Sequence, residues 1–387
     1  MKIPIAKPVN DIKYIDDFKS IFISEVMSGM YIGGKNVTDY EKNLAKFLNK
    51  KYIASCNSGT DALILSLVAL GIKPGDEVIL PSFTYFATAE SVMHVGAIPV
   101  FADIDDNSFC ISVKTVEKLI TKKTRCIIPV HLYGYDSDIK NIVKLAKSKK
   151  IYVLEDVAQA FGSKSNENKF LGTYGDINAF SNFPSKTLGG IGDGGFVATD
   201  NLNLYKKVSL LKNHGQSKNY EHEIMGTNSR LDSLNAFVLN NKLKNFSKID
   251  RSRRNFVETY LNFFNNKDEI YIPEIQSNTL LNYFTIVLPD GERNKIQKLL
   301  ENEGIQTNIY YKKPLHKQTA LKNYGFKSKS LKNTDNLSKN ILSLPLYSNP
   351  SKKELEYIKT ILKKVFKNYV WITTSNYWFW KYGKNPL

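Results

Sequence analysis

From residue 52 to about residue 200 the chain alternates short, β-branched apolar runs with amphipathic stretches, and this rhythm constrains its fold more than any other feature. YIASC (52–56) leads into SGTDALILSLVALG, and EVILP (77–81) leads into ATAESVMHVG. IPVFAD (98–103) and CIIPVHLYG (126–134) follow, and DIKNIVKLAKSKK leads into IYVLED (151–156). Strands that alternate with helices pack as a mostly parallel sheet with helices on both faces, the α/β class. Beyond about residue 233 the rhythm changes. SLNAFVLNNKLKNFSKIDRSRRNFVETYLNFF reads as one or two long helices, and a smaller unit with YFTIVLP, RNKIQKLLENEG and IQTNIYY comes after it. The expected layout is a large α/β domain over 1–232, a smaller α+β domain over 233–370 and an aromatic tail over 371–387, which holds all three tryptophans. That tail either packs on its own subunit or a dimer partner, or docks on a membrane surface or another enzyme.

Composition excludes several classes. With 387 residues, 42% apolar and 24% charged, the chain can bury a large core. MKIPIAKPVND has no apolar signal region, and ALILSLVALGI (62–72) is far short of the ~20 residues that span a bilayer. Neither secretion nor a membrane span is expected, and the cytoplasm is the expected compartment. Cys56, Cys110 and Cys126 form no CxxC pair, so neither a disulfide framework nor a metal site is expected. The net charge of +17 comes largely from lysine doublets scattered along the chain, beside no nucleic-acid motif. It reads as solvated lysine-rich surface, the weaker alternative being that the general field attracts an anionic small substrate.

The chemistry concentrates in SNFPSKTLGGIGDGG (181–195). A Walker A loop needs GxxxxGK[ST], but Ser185 precedes Lys186 and Phe180 stands at the earlier glycine position. Gly190, Gly192 and Gly195 satisfy GxGxxG, yet the strand-like FVATD follows where a dinucleotide fold needs a helix. These glycines instead suit a tight backbone path and close approach of a flat ligand. Lys186 is then either an ordinary exposed lysine or a nucleophile suited to Schiff-base chemistry. Three stretches weigh toward the second. In CNSGTDALILSLVALG, Ser58 and Asp61 form a capping box, and the helix start with its close Gly59 suits a phosphate as well as a plain cap. IYVLEDVAQAFGS ends an apolar strand in Glu155 and Asp156, of which alternation lets only one face a site at the strand's carboxyl end. PSFTYFATAES offers a ring that either stacks on a planar cofactor or packs in the core. Phosphate cradle, carboxylate, aromatic and lysine together match what pyridoxal phosphate (PLP) requires, the carboxylate keeping the pyridine nitrogen protonated.

On these motifs the chain resembles, from about 5 to 365, the DegT/DnrJ/EryC1/StrS family of nucleotide-sugar aminotransferases. Its SGT(D/A)AL is Ser58–Leu63, its PS.T(F/W/Y) is Pro81–Tyr85, its EDxAQA.G is Glu155–Gly162, and FSNFPSKTLGGIGDGG stands for its lysine loop. The resemblance implies the aspartate-aminotransferase-like type I fold and a homodimer with shared active sites. It implies Lys186 as the Schiff-base lysine, Asp156 on the pyridinium, Gln159 on the cofactor hydroxyl and Tyr85 on its ring. Gly59, Thr60 and Ser181 would bind the phosphate, with Asn228 reaching it from the partner subunit. Tyr31, Phe183, Ser229, Arg230, Tyr311 and His316 fall at substrate-binding positions. Asn182 for Phe, Ser185 for Thr and Thr187 for Asn depart from the pattern and are expected on the substrate side. IYYKKPLH (309–316) departs from IHYPxPLH at Tyr310 and Lys312.

The activity implied is transfer of an amino group from L-glutamate to a keto-sugar nucleotide. Family dehydratases carry histidine at the lysine position, which Lys186 argues against. A non-catalytic PLP-binding regulator is the remote alternative. NSRLD (228–232), where C4-aminating members carry NYRM, resembles members that aminate C3, including those making 3-amino-3,6-dideoxyhexoses on dTDP. A UDP-3-keto-N-acetylhexosaminuronate and a 4-keto sugar are the alternatives. The smaller Ser229 is expected to let the sugar ring slide and present a different carbon, because transfer needs reacting atoms ~3–3.5 Å apart.

Overall fold

In the computed structural model, residues 1–105, 108–265 and 267–367 are described; the aromatic tail over 371–387 lies outside them. Seven strands come from the alternating region: β1 (Tyr52–Cys56), β2 (Glu77–Pro81), β3 (Ile98–Ala102), β4 (Thr124–Ile127), β5 (Tyr152–Asp156), β6 (Ile177–Ser181) and β7 (Gly195–Thr199). β8 (Gln216–Lys218) and β9 (Glu221–His222) make a short hairpin, and β10 (Phe284–Val287) pairs antiparallel with β12 (Ile341–Leu344). The two-residue β11 (Lys327–Ser328) closes the edge of the main sheet, whose order is β1-β7-β6-β5-β4-β2-β3-β11. β7 runs antiparallel to both its neighbours, and the other pairs are parallel.

Period-two alternation sorts each strand between two cores. Ile79, Ile127 and Val153 pack with Tyr40 and Leu44 of the helix Gly34–Leu48. Val78, Leu80, Cys126 and Leu154 pack on the opposite face with Leu63 and Leu67 of the helix Gly59–Ala69. That second helix is apolar nearly all round because the sheet lies on one side and the helices Phe86–His94 and Leu202–Leu211 on others. Its N-terminus therefore points at the carboxyl ends of the strands.

The expected boundary at 232 moves. The two helices anticipated after it are Ser233–Lys244 and Phe246–Phe264, and the first lies along Gly34–Leu48. Its Leu239 and Leu243 share the core of β2 and β5, so it belongs to the large domain. Its pattern announces a buried helix but not which sheet it covers. The smaller unit centres on Phe256, Tyr260, Phe284, Ile286, Leu342 and Leu362. It stays tied to the rest, since Ile3 bridges to Ile305 and β11 returns to β3. Among the described residues no helix is long and apolar enough to cross a membrane.

Candidate active site

β2, β5 and β6 end around a cavity of about 390 Å³, whose lining includes the start of the helix Gly59–Ala69. That size suits a cofactor with a small substrate. Ser58 is the helix N-cap, its Oγ accepting from the Asp61 N–H at 3.0 Å. The reciprocal half of the expected capping box is absent. The Asp61 carboxylate instead accepts from the Ser229 hydroxyl at 2.6 Å, and Ser229 Oγ accepts from the Asn57 N–H at 3.1 Å. Gly59 and Thr60 bring first-turn N–H groups, which have no partner within a helix, to the cavity wall beside Ser181. Gly59 has a different reason from the one expected: a Cβ there would lie 2.7 Å from the Cβ of Ser181. The glycine lets two walls of the cradle meet.

Only one of the strand-end acids faces the cavity, as alternation requires. Asp156 lines it, its carboxylate accepting from the Thr88 hydroxyl at 2.8 Å and the Ala158 N–H at 3.1 Å. Burial raises its pKa above the usual carboxylate value, an effect these two donors and the Lys186 charge only partly offset. Such a buried anion is suited to a cationic ring nitrogen placed against it. Glu155 points the other way and holds the backbone: it accepts from the N–H groups of Gly172, Tyr174 and Gly175 at 2.6–2.7 Å and from His131 Nε2 at 2.9 Å. Burial pushes this carboxyl up, but His131 and the glycine N–H groups outweigh it and hold it below the usual value.

A stability prediction follows from that sign. Because folding lowers the Glu155 pKa, its contribution is present above the unfolded value and is lost as the pH falls through the lower folded one. Glu155→Ala should cost about 3–5 kcal/mol at neutral pH, read as a lower urea midpoint. The difference from wild type should shrink in acid.

Lys186 sits in a loop stapled from outside. Asn182 donates to the Leu188 carbonyl at 2.9 Å and accepts from the Tyr40 hydroxyl, and Lys242 donates to the Gly189 carbonyl at 2.7 Å. A Cβ on Gly190 would lie 2.1 Å from Asn235 Oδ1, so protein packing, not a ligand, demands that glycine. Asn182 and Thr187, expected on the substrate side, are buried and turned into this scaffold, Thr187 donating to the Asn282 side chain. Of the three departures only Ser185 lines the cavity.

Among the expected site residues, Gly59, Thr60, Tyr85, Asp156, Gln159, Ser181, Phe183, Lys186 and Tyr311 meet at this cavity. Tyr85 and Phe183 are half exposed, and Gln159 is fixed at both ends, accepting from the Tyr133 N–H and donating to the Tyr311 hydroxyl. Five others lie elsewhere in the chain. Asn228 and Tyr31 are exposed and Arg230 is half-buried, in adjoining segments linked by the Ile32–Asp232 bridge. Ser229, expected to contact the sugar beside Asn228, is instead fully buried beneath the helix start. His316 likewise stands apart from this cavity. It spans Ser82 and Asp335, at 2.7 and 3.1 Å, outside the cavity lining. Sequence reasoning missed Thr88 and Tyr283. Thr88 stands one helical turn after Tyr85, a spacing that could have flagged it, whereas Tyr283 comes from the smaller unit with no local signal.

A model of the DegT/DnrJ/EryC1/StrS aminotransferase family matches residues 15–363. The chain is 37% identical over 336 residues to the UDP-N-acetyl-3-dehydro-alpha-D-glucosamine 3-aminotransferase of Acidithiobacillus ferrooxidans, covering 86% of this chain and 89% of that protein. It is 34% identical over 348 residues to the dTDP-3-amino-3,6-dideoxy-alpha-D-galactopyranose transaminase of Aneurinibacillus thermoaerophilus, covering 90% and 95%. The fold matches the structure of NtdA from Bacillus subtilis with bound cofactor PMP at a TM-score of 0.88 and 32% identity, covering 95% of this chain and 86% of that one.

Proposed function

The chain belongs to the DegT/DnrJ/EryC1/StrS aminotransferase family and is a PLP-dependent sugar aminotransferase, and we propose that it moves an amino group from L-glutamate to C3 of a dTDP-linked 3-keto-6-deoxyhexose. The observation that carries the reading is one cavity that joins Lys186, the buried Asp156 and the N-terminus of the helix Gly59–Ala69. When bound there, PLP supplies the electron sink at the carbon that exchanges nitrogen. Lys186 Nζ, the one cationic group among the described lining residues, holds the cofactor and then takes and returns the proton at the substrate carbon. Asp156 orients the ring nitrogen, Gln159 the ring hydroxyl, and Ser58, Gly59, Thr60 and Ser181 the phosphate. Tyr85 and Phe183 cover the mouth and exclude water.

The C3 assignment rests on NSRLD (228–232) and on the two relatives, whose names describe 3-amino sugars. Ser229 acts in this reading through its bond to Asp61, which sets where the segment 228–230 lies. The relatives differ in nucleotide, so a UDP-3-keto-N-acetylhexosaminuronate is the next candidate. The working unit is a homodimer with shared sites. Met27, Met30, Tyr31 and Ile32 are exposed beside the segment that carries Asn228 and Arg230, and Tyr220 and Met225 precede it exposed to 90% and 94%. An apolar set of this size suits burial against a second subunit. The partner's copies of Asn228 and Arg230 would then supply the phosphate and substrate contacts. Three buried free thiols fit a cytoplasmic setting.

The test is a panel of 3-keto and 4-keto sugar nucleotides incubated with ¹⁵N-glutamate and PLP-loaded enzyme. NMR should place the nitrogen on C3 of the dTDP-3-keto-6-deoxyhexose. Efficient turnover of a 4-keto sugar, with nitrogen on C4, would overturn the assignment.

A further inference from the structure

Two hydroxyls stand in a row against Asp156. Thr84 Oγ1 lies 3.2 Å from Thr88 Oγ1, and the Thr88 hydroxyl donates to Asp156 Oδ2 at 2.8 Å. Both threonines belong to the cavity lining, yet all three residues are buried. Thr88 lies in the first turn of the helix Phe86–His94 and Thr84 just before it. Four residues apart, they are brought one over the other by that turn. A hydroxyl carries one hydrogen, and an ionised carboxylate only accepts. With Asp156 ionised, the Thr88 hydrogen is committed to Oδ2, so Thr84 must be the donor to Thr88. Both O–H dipoles then point toward the carboxylate, and a hydroxyl that receives a hydrogen bond donates more strongly in turn. The Ala158 N–H donates to the other oxygen, Oδ1, at 3.1 Å. A valine at 84 or 88 would fill the same space with no buried hydroxyl to satisfy, so packing alone does not call for two threonines.

We propose that Thr88 and Thr84 are positioning residues that act through Asp156, holding its carboxylate as the anion against which the cofactor's ring nitrogen stays protonated. The inference rests on the reading of this cavity as the PLP site with Asp156 on the ring nitrogen. Burial makes a carboxylate hold a proton more tightly, and Asp156 is buried. Left to itself, Asp156 would tend to take the proton from a ring nitrogen set against it, leaving two neutral groups and a weaker electron sink. Donors to the carboxylate oppose that transfer, because their bonds are strong to the anion and weak to the neutral acid. Thr88 and the Ala158 N–H do this by direct contact, and the Lys186 and His131 charges work in the same direction. Thr84 acts only through Thr88, so its effect is the smaller. No covalent bond changes in this arrangement beyond the placement of one proton between the ring nitrogen and Asp156.

The experiment loads wild-type enzyme, Thr88→Val, Thr88→Ser and Thr84→Val with PLP carrying ¹⁵N in its ring. Three readouts are taken at one neutral pH: the NMR shift of the ring nitrogen without substrate, the peptide labelled by borohydride, and kcat and KM. In the wild type the nitrogen signal should be that of a protonated pyridine, with the label on Lys186. In Thr88→Val the signal should move well toward the unprotonated position, and kcat should fall at least about tenfold with KM for the sugar nucleotide little changed. Thr88→Ser keeps the hydroxyl and should keep the wild-type signal. Thr84→Val should move the signal the same way by less, and it carries the test should Thr88→Val fail to fold. An unchanged nitrogen signal in either valine variant, or a Thr88→Ser signal displaced as far as that of Thr88→Val, would overturn the inference and leave the aminotransferase reading standing. An unprotonated nitrogen in the wild type, or a label absent from Lys186, would overturn the reading of the site and the inference with it.

Discussion

Lys186→Ala should lose transamination by on the order of 10⁴-fold or more, since the substitution removes both the covalent anchor and the group that moves the proton. The fold should survive. The loop around residue 186 is held by Asn182, Gly190 and Lys242, through bonds to Leu188, the Asn182 carbonyl and Gly189, none of which uses the lysine side chain. Melting behaviour of the apo protein should therefore change little, as for substitutions that remove no buried partner. Borohydride treatment of wild-type enzyme should fix the cofactor within the peptide 181–195, and recovery on another lysine would contradict the assignment. The same variant tests the shared site. Mixed with Asn228→Ala protein, it should form heterodimers with one intact site and regain activity. If exchange of subunits is shown and activity stays absent, Asn228 serves only its own chain.

Asp156→Asn should separate function from stability. The carboxylate is buried, and burial keeps its pKa above the ordinary value despite Thr88, Ala158 and Lys186. An amide keeps the shape and one acceptor for those donors while removing the charge that a protonated ring nitrogen needs. Turnover should drop on the order of 10²–10³-fold. The apo variant should melt no lower than wild type, because removing an incompletely compensated buried charge relieves a desolvation cost. Added PLP should stabilise the wild type more than the variant, by the linkage of binding to folding. A variant with wild-type turnover would remove Asp156 from the site.

Much of the site was legible in the sequence because its parts are local. A strand ending in two acids, a serine cap before an apolar helix and a lysine ahead of glycines each state their geometry within a few residues, and the structure joins them at one cavity. What was not legible depends on distant partners. Gly59 exists for Ser181, more than 100 residues on, and Gly190 for Asn235. Ser229 lies beneath the helix start because Asp61 and Asn57 claim its hydroxyl. Asn182 and Thr187 turned inward because Tyr40, Leu188 and Asn282 are there to receive them. The boundary at 232 moved for the same reason, since a helix buried on most sides does not announce which core it enters. Tyr283 reaches Lys186 only when the smaller unit folds against the larger.

The most direct measurement is the half-reaction with glutamate alone. Holoenzyme mixed with L-glutamate, in the absence of any sugar, should change the absorbance of its bound cofactor and release one 2-oxoglutarate per active site. A later pulse of keto-sugar nucleotide should restore the starting spectrum. Cofactor that binds at Lys186 but neither changes its absorbance nor yields 2-oxoglutarate would contradict the account and leave a PLP-binding protein that transfers no nitrogen from glutamate.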